Sequence, residues 1–449
     1  MTAIRPPQTR APQRLPMLGL ACLAAAALTL SACNRDRPLE GERLDIRAPF
    51  GGGEAARNES RPITLPAATA NASWTHRQGQ NGARPGHPAL SASPQRVWSA
   101  PIGQGDARRQ RLSTDPVVSG GTVFTLDARA RVQATSGSGQ PVWSTDLTPP
   151  GQRSPTASGG GLAVDGGRLF VTSAFAFIAA LDASTGQEIW RQDLNAPITS
   201  PPAVQGDRVF VIAADSTMWS MDVATGRIDW TNAGTDSITT VARGAAPAIS
   251  GDLVILPSKA GELTAMRRAN GGVAWTSVVA GRRTGAAYAA ISSITGDPVV
   301  DGGRIYAANH QGRLVALDAR SGSEIWTAGE AAFGPVWPVG GSVFLISDEN
   351  RLLRLNAADG RLIWAVELPL YEPVRRERNR LAIFAQHGPV LAGGRLWVAS
   401  SDGALRGFDP VSGDMVVETA VPGGAASAPV VAGQTLFVLG RDGTLHAFR

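Results

Sequence analysis

A nine-residue motif that recurs along the chain constrains the fold more than any other feature of the sequence. Its frame is Asp or Asn, two residues, Thr, Ser or Asp, then Gly, three residues and Trp, and copies lie at 182–190, 222–230, 318–326 and 356–364. In each copy an apolar strand end precedes a polar turn closed by glycine, and a second short strand ends in the indole. The chain is therefore built from repeats.

Alignment on the closing aromatic residue extends this pattern along most of the chain. Successive closing positions lie 38 to 53 residues apart, which is long enough for four short strands and their turns. These positions are Trp98, Trp143, Trp190, Trp230, Trp275, Trp326, Trp364 and, with the aromatic lost, Val417. A four-stranded antiparallel meander that is apolar on both faces must stack radially to bury both. The pattern predicts an all-β fold, a β-propeller.

The two ends of the repeat region determine the number of blades. The last unit, from Pro429, has material for three strands, whereas 95–99 carries a fourth-strand signature with no preceding three. Pairing this N-terminal strand into the C-terminal blade closes a ring of eight. Seven blades is the competing count, favoured if the degenerate unit 117–143 is not a blade.

The motif itself is interpreted as structural. An indole can lie flat against the adjoining blade, and its N–H needs a nearby acceptor. The Asp and Thr can satisfy the backbone of the turn between the third and fourth strands. Because a catalytic centre is not needed in most of eight blades, the seven tryptophans are assigned to the scaffold.

The N-terminus reads as an export signal. Three arginines precede the apolar run 18–30, which suits a secretory leader better than a membrane span. Leu30-Ser31-Ala32-Cys33 then resembles the bacterial lipobox, which implies cleavage before a lipidated Cys33. Asn34 at the next position implies the outer membrane. The alternative is an uncleaved or conventionally cleaved leader with an incidental cysteine.

This reading divides the chain into three parts. Residues 1–32 are the expected lipoprotein signal peptide, 33–73 a flexible lipid-anchored tether rich in Pro, Gly and Arg, and 74–449 the propeller. The second cysteine, Cys22, lies in the leader, so no disulfide is expected.

Composition and motifs argue against several function classes. The formal charge is +5, but loss of the leader arginines lowers it to +2, and Lys259 is the one lysine. No nucleic-acid partner is therefore expected. The five histidines are scattered, with no pair at metal-ligand spacing. No catalytic, metal-binding or cofactor-binding residue is predicted.

The long loops between blades are better candidates for binding. In an up-and-down blade, the connection to the next blade lies on the same face as the turn between strands two and three. Loops 231–246, 276–295 and 365–388 therefore share one face, where binding tends to reside. Part of the third, 371–380, begins at Tyr371 and carries four arginines. It is either a solvated charged loop or a docking surface for an acidic partner or anionic lipid.

Lipobox, tether and eight blades with this motif together resemble the BamB family, the lipoprotein of the outer-membrane β-barrel assembly machine. The resemblance implies a non-enzymatic scaffold without cofactor, anchored on the periplasmic face of the outer membrane. Its implied partners are a POTRA domain of BamA, other assembly subunits and nascent outer-membrane proteins.

The family's partner-binding loops map onto two stretches of this sequence. Leu-x-Leu-Arg-Gly before the fourth blade corresponds to Thr240, Ala242, Arg243 and Gly244, with Arg and Gly retained and both leucines replaced. The acidic Asp-x-Asp of the next loop falls at Ser293 and Thr295, where both acids are missing.

Two other functions remain open. Dehydrogenases that use pyrroloquinoline quinone (PQQ) share the blade motif, but they usually carry an adjacent-cysteine disulfide and calcium ligands in the propeller. Neither feature stands out here. A periplasmic propeller with a different protein partner is the other alternative.

Overall fold

The computed structural model describes residues 58–108, 110–152, 159–235, 237, 243–281, 291–375 and 382–449. Within them, 32 strands form eight four-stranded antiparallel sheets, and seven of these are paired in sequential order from one edge to the other. The predicted eight-bladed β-propeller is confirmed. Cys33, the predicted lipidation site, lies outside the described residues. No helix in the described ranges is both long and apolar enough to cross a membrane.

Seven blades follow one another along the chain. Blades 1 and 2 consist of β2 (Val117–Ser119), β3 (Thr122–Leu126), β4 (Arg131–Ser136), β5 (Pro141–Asp146), β6 (Gly160–Asp165), β7 (Arg168–Ser173), β8 (Phe177–Asp182) and β9 (Glu188–Asp193). Blades 3 and 4 consist of β10 (Ala203–Gln205), β11 (Arg208–Ile212), β12 (Thr217–Asp222), β13 (Ile228–Ala233), β14 (Ala248–Ser250), β15 (Leu253–Pro257), β16 (Glu262–Arg267) and β17 (Val273–Val278).

Blades 5 and 6 consist of β18 (Ile294–Asp301), β19 (Arg304–Asn309), β20 (Leu314–Asp318), β21 (Glu324–Ala328), β22 (Trp337–Val339), β23 (Ser342–Ile346), β24 (Arg351–Asn356) and β25 (Leu362–Glu367). Blade 7 consists of β26 (Gln386–Ala392), β27 (Arg395–Ser400), β28 (Ala404–Phe408) and β29 (Met415–Ala420). The unit from Val117 is thus a complete blade, so the count of seven is wrong.

Blade 8 joins the two ends of the repeat region. It contains β30 (Val430–Ala432), β31 (Thr435–Leu439), β32 (Thr444–Phe448) and, as its fourth strand, β1 (Arg96–Pro101). Trp98 pairs with Ala447, and Gln95 and Arg449 exchange two backbone hydrogen bonds of 2.8 Å. The predicted closure by the N-terminal strand is confirmed.

The apolar cores lie between adjacent blades. Phe170 of blade 2 shares one buried cluster with Val209 and Val211 of blade 3, and similar clusters fill other junctions. The first strand of each blade is mostly buried, whereas fourth strands such as β5 alternate between exposed and half-buried residues. The first strands therefore face the ring centre, and the fourth strands form its rim.

A segment that precedes β1 occupies the ring centre. Residues 71–88, here called the central segment, contact the first-strand region of all eight blades. In blade order, the contacted residues are Val118, Val164, Val204, Pro247, Val300, Val336, Gly393 and Val431. Trp74 is 1% exposed and lies 6.3 Å from the ring of Trp337. This segment fills the space that the first strands surround.

The residues before the central segment lie along blade 6. The amide of Glu59 donates to the Ile363 carbonyl at 3.2 Å, and the Asn58 side chain accepts from the Ala365 amide at 3.0 Å. Arg354 Nη1 donates to the Arg61 carbonyl at 2.5 Å. Residues 58–73, which the sequence analysis places in the tether, therefore pack on the propeller.

Candidate docking face

The repeated motif builds the junctions between blades. Each of the seven tryptophans donates its indole N–H to a backbone carbonyl in the third-to-fourth-strand turn of the following blade, at 2.9 to 3.4 Å. The bonds run from Trp98 to Gly137, Trp143 to Ala183, Trp190 to Val223, Trp230 to Arg268, Trp275 to Ala319, Trp326 to Ala357 and Trp364 to Pro410. Each indole thus joins two blades, which supports a structural role.

The rest of the motif shapes the turn that receives the indole. Asp182 Oδ1 accepts from the amides of Ser184 and Thr185, both at 2.9 Å, and from their hydroxyls. These hydrogen bonds, led by that of the Ser184 hydroxyl, lower the pKa of Asp182. Gly186, at a φ of 74°, packs directly against the face of Trp143. A side chain would not fit there, because a Cβ would lie 2.4 Å from the ring. The Asp182 carboxylate therefore stabilises the turn in which it lies.

The predicted partner loops lie on one face of the ring. Gly244, Ser293 and Lys259, from two inter-blade loops and a turn between second and third strands, line one pocket of about 40 Å³ between blades 3 and 4. The described ends of these two loops thus meet at one pocket, and the common face of the three loops stays a prediction. Thr240 and Ala242 lie outside the described residues. We call Arg243, Gly244, Ser293 and Lys259 the docking patch.

The members of the docking patch differ in exposure. The Arg243 side chain is 26% exposed and pairs with Asp115, which lies before blade 1. Ser293 is 2% exposed, and its hydroxyl has no hydrogen-bond partner among the described residues. Thr295 is also buried, at 7% exposed, and its hydroxyl donates to the Ala332 carbonyl at 2.7 Å. Arg243 is therefore the charged member of the predicted set that a partner can reach.

A buried charge cluster lies behind Arg243. Arg77 of the central segment has its Nε 3.2 Å from Asp115 and 3.1 Å from Asp297, and these three side chains are 0 to 4% exposed. Burial by itself would raise the pKa of Asp115, but Arg243 and Arg77 hold it below its usual value. Burial dominates for Asp297 and raises its pKa. Arg77 belongs to no repeat, and Asp115 and Asp297 each precede Pro-Val-Val at the start of a first strand, so no sequence pattern indicates that the three side chains meet.

Among the described residues, no group of three or more His, Cys, Asp or Glu side chains is arranged to hold a metal ion. The pocket of the docking patch has room for a few water molecules, not for a quinone. Asp115 and Asp297, which contact the central segment, are paired with arginines of this chain.

The third long loop forms a separate feature. Tyr371 and Ile383 pair as an isolated bridge, and the Phe384 amide donates to the Leu370 carbonyl at 2.8 Å. Tyr371 is 45% exposed and Ile383 58% exposed. Residues 376–381, with three of its arginines, lie outside the described residues, so its role as a docking surface stays a prediction.

Comparisons with known proteins agree on the relationship. The family model described as "Outer membrane protein assembly factor BamB" matches residues 128–366 and 368–449. The outer membrane protein assembly factor BamB of Yersinia pestis is 28% identical over 247 residues, which are 52% of this chain and 61% of the relative. The match thus spans less than two thirds of that relative.

Solved structures share the fold. BamB from Moraxella catarrhalis superposes with a TM-score of 0.66 at 19% identity, covering 79% of this chain and 99% of that one. The quinohemoprotein alcohol dehydrogenase of Comamonas testosteroni gives 0.64 at 15% identity, covering 85% and 81%. Because assembly factors and dehydrogenases both match, the fold alone does not distinguish these functions.

Proposed function

The chain belongs to the BamB family, and we propose on this premise that it is a non-enzymatic scaffold of the outer-membrane β-barrel assembly machine. It binds a POTRA domain of BamA through the docking patch and assists the insertion of nascent outer-membrane proteins. The family match over 128–366 and 368–449 is the observation that carries the proposal. Arg243 and Gly244 support it, because they retain the family's residues and lie on the face that collects the loops.

Partner binding is tested by co-purification. BamA of the same organism should be recovered with the protein from detergent-solubilised outer membranes. Arg243→Glu should weaken recovery because it reverses the exposed charge and breaks the pair with Asp115.

Arg208→Glu is the matched control. The Arg208 side chain is 22% exposed and also pairs with an aspartate, Asp229, but it follows the turn between the first two strands of blade 3, away from the patch. Failure of the unaltered protein to recover BamA would refute the proposal, and recovery of another protein in its place would favour a different periplasmic partner.

We also propose that Cys33 carries the lipid and that residues 1–32 are removed. Residues 58–62, within the proposed tether of 33–73, contact blade 6 and the Val411 carbonyl of blade 7. Mass spectrometry of the mature N-terminus should find acylated Cys33, and Cys33→Ser should release the protein into the soluble periplasmic fraction. A mature chain that starts elsewhere would contradict this.

The central segment supports a scaffold over a quinone enzyme. It occupies the ring centre with Trp74, Arg77 and Arg84, all of which bind this chain's own blades. Incubation with PQQ and calcium should produce neither a bound quinone absorbance nor reduction of an electron-accepting dye. Dye reduction with an alcohol would establish the enzyme alternative.

A further inference from the structure

The central segment reaches the docking patch through one side chain. Arg77 Nη1 donates to the Gly244 carbonyl at 3.1 Å. Its Nε pairs with Asp115 Oδ2, the oxygen that also receives Arg243. The same Nε pairs with Asp297, whose other oxygen accepts from the Ala246 amide at 2.6 Å. Residues 243–246 are therefore held at three points, and Arg77 takes part in each.

The surroundings leave these groups few other partners. Arg77, Asp115 and Asp297 have side chains 3%, 4% and 0% exposed, so water does not replace a lost contact. Without the Arg77 guanidinium, Asp297 would keep its Ala246 hydrogen bond but lose its nearest cation. An uncompensated buried carboxylate is costly, and the nearby backbone would rearrange to reduce that cost.

We propose that Arg77 is a positioning residue for the docking patch, setting the orientation of Arg243 and of the backbone at 244–246. The part that concerns partner binding rests on the proposed function. The central segment, residues 71–88, therefore helps to shape the docking patch from inside the ring, although it does not form part of the exposed surface. The resemblance to known family loops does not point to Arg77, which lies 163 positions before the first carried-over residue.

A second arginine in the same segment supplies a matched control. Arg84 also binds inside the ring, but it donates to the carbonyls of Pro335, at 2.6 Å, and Val336, at 3.1 Å, beside blade 6. It stacks over Trp337 at 4.7 Å. Its Nη1 donates to the Gln78 carbonyl at 3.1 Å, and its charge is felt by Asp297 and Asp115. The hydrogen bonds described for Arg84 do not reach residues 243–246, so its loss disturbs the central segment and the same charges without removing a direct contact to that loop.

The experiment compares Arg77→Met and Arg84→Met in the full chain at matched folded fraction. Hydrogen exchange followed by mass spectrometry reports on the peptide that contains Gly244 and Ala246, and titration with the purified periplasmic region of BamA reports on binding. Arg77→Met should speed exchange in this peptide, and weaken binding, by roughly tenfold or more. Arg84→Met should change both by less than about twofold.

Two further variants guard against misfolding of Arg77→Met. Asp297→Asn keeps the side-chain shape and removes the same ion pair, so it should also speed exchange at Ala246. Arg77→Lys keeps the positive charge, so its hydrogen exchange at residues 243–246 should be slower than that of Arg77→Met, though faster than in the unaltered protein.

Equal effects of Arg77→Met and Arg84→Met on exchange at 243–246 would overturn the proposal. If unaltered protein fails to bind BamA while exchange still separates the two variants, the proposed function fails but Arg77 keeps its role in ordering this loop. The two failures are therefore distinguishable.

Discussion

At each tryptophan junction, a glycine without a side chain faces an indole ring. A Cβ at Gly226 would lie 2.5 Å from Trp190, with φ at 73°. Gly206, in the same blade, has a similar φ of 66° but no neighbour within 4 Å of its Cβ position. The pair separates the cost of the backbone conformation from the cost of crowding the indole.

Gly226→Ala should lower the free energy of unfolding by about 3 kcal/mol, because overpacking adds to left-handed strain. Gly206→Ala should lower it by about 1 kcal/mol, from strain alone. Urea denaturation of both proteins measures the difference. Equal losses would mean that the indole moves aside without cost.

Buried His76 makes stability depend on pH. Its side chain is 4% exposed, and its Nε2 accepts from the Val204 amide at 3.1 Å, which requires an unprotonated nitrogen. Burial lowers its pKa from 6.5 to about 4. Since the unfolded chain takes up a proton first on acidification, this histidine's contribution is complete above pH 6.5 and is lost as the pH falls towards 4.

The predicted loss from His76 is about 3 kcal/mol between pH 7 and pH 4. His387, whose pKa burial also lowers to about 4, adds a loss of the same sign. His76→Gln should reduce the slope of unfolding free energy against pH by the equivalent of about one proton, while the contribution of His387 to this slope remains. Denaturation midpoints between pH 7 and pH 4.5 provide the measurement. An unchanged slope would show that His76 titrates normally.

At the scale of elements, residues 58–62, which lie along blade 6 and are here called the strap, are held in place by one arginine, Arg354. Arg354 is 1% exposed and donates to the carbonyls of Arg61, Pro62 and Pro410 and to the Ser342 hydroxyl. It pairs with Trp364 across β24 and β25. The equivalent position opposite Trp190 is Ala180. A blade does not need an arginine at this position, so the role of Arg354 is to bind the strap.

A double-mutant cycle measures this interaction. Deletion of 58–62 should cost about 2 kcal/mol of unfolding free energy, because buried Arg354 loses carbonyl acceptors. Arg354→Met should destabilise the full chain by a similar amount but cost much less in the deletion variant. Additive losses would show that Arg354 and the strap act independently.

The blades could be predicted from the sequence, because strand alternation, turn glycines and the indole repeat every blade. The central segment could not, since Trp74, His76 and Arg77 belong to no repeat and their partners lie from tens to more than two hundred residues away in sequence. Arg354 offered one signal: a large charged residue stands where Ala180, Ala265 and Ala316 are small. Arg243 could be carried over from a family motif, whereas Asp115 and Asp297, which hold its surroundings, look like ordinary residues before the Pro-Val-Val of a first strand.

At the scale of the whole ring, one junction differs from the other seven. The fourth strand of blade 7 carries Val417 in place of tryptophan, and the third-to-fourth connection of blade 8 is not a turn but the meeting of Arg449 with Gln95. No motif glycine is there to receive an indole. Blade 7 instead has Trp397 on its second strand, fully buried against Gly407.

Val417→Trp should therefore destabilise the ring by about 1 to 2 kcal/mol, through overpacking and an unpaired indole N–H. Trp364→Val, at the preceding junction, should cost about 3 kcal/mol because it leaves a cavity and removes one of the two side-chain hydrogen bonds to the Pro410 carbonyl, that of Arg354 remaining. Thermal midpoints of the two variants test the contrast. A higher midpoint for Val417→Trp would show that the closing junction accepts the indole.

The central segment also bears on the order in which the chain folds. Asn71 bonds to Val431, 360 residues later, and Asp115 bonds to Ala428, 313 residues later. Contacts so distant in sequence slow folding. The first residues of the ring to leave the ribosome can thus reach their final positions only after the last blade is present. The contacts of Asn71 and Asp115 with Val431 and Ala428 form only after these last-blade residues have been synthesised, so a shorter chain leaves part of its ring centre exposed to water.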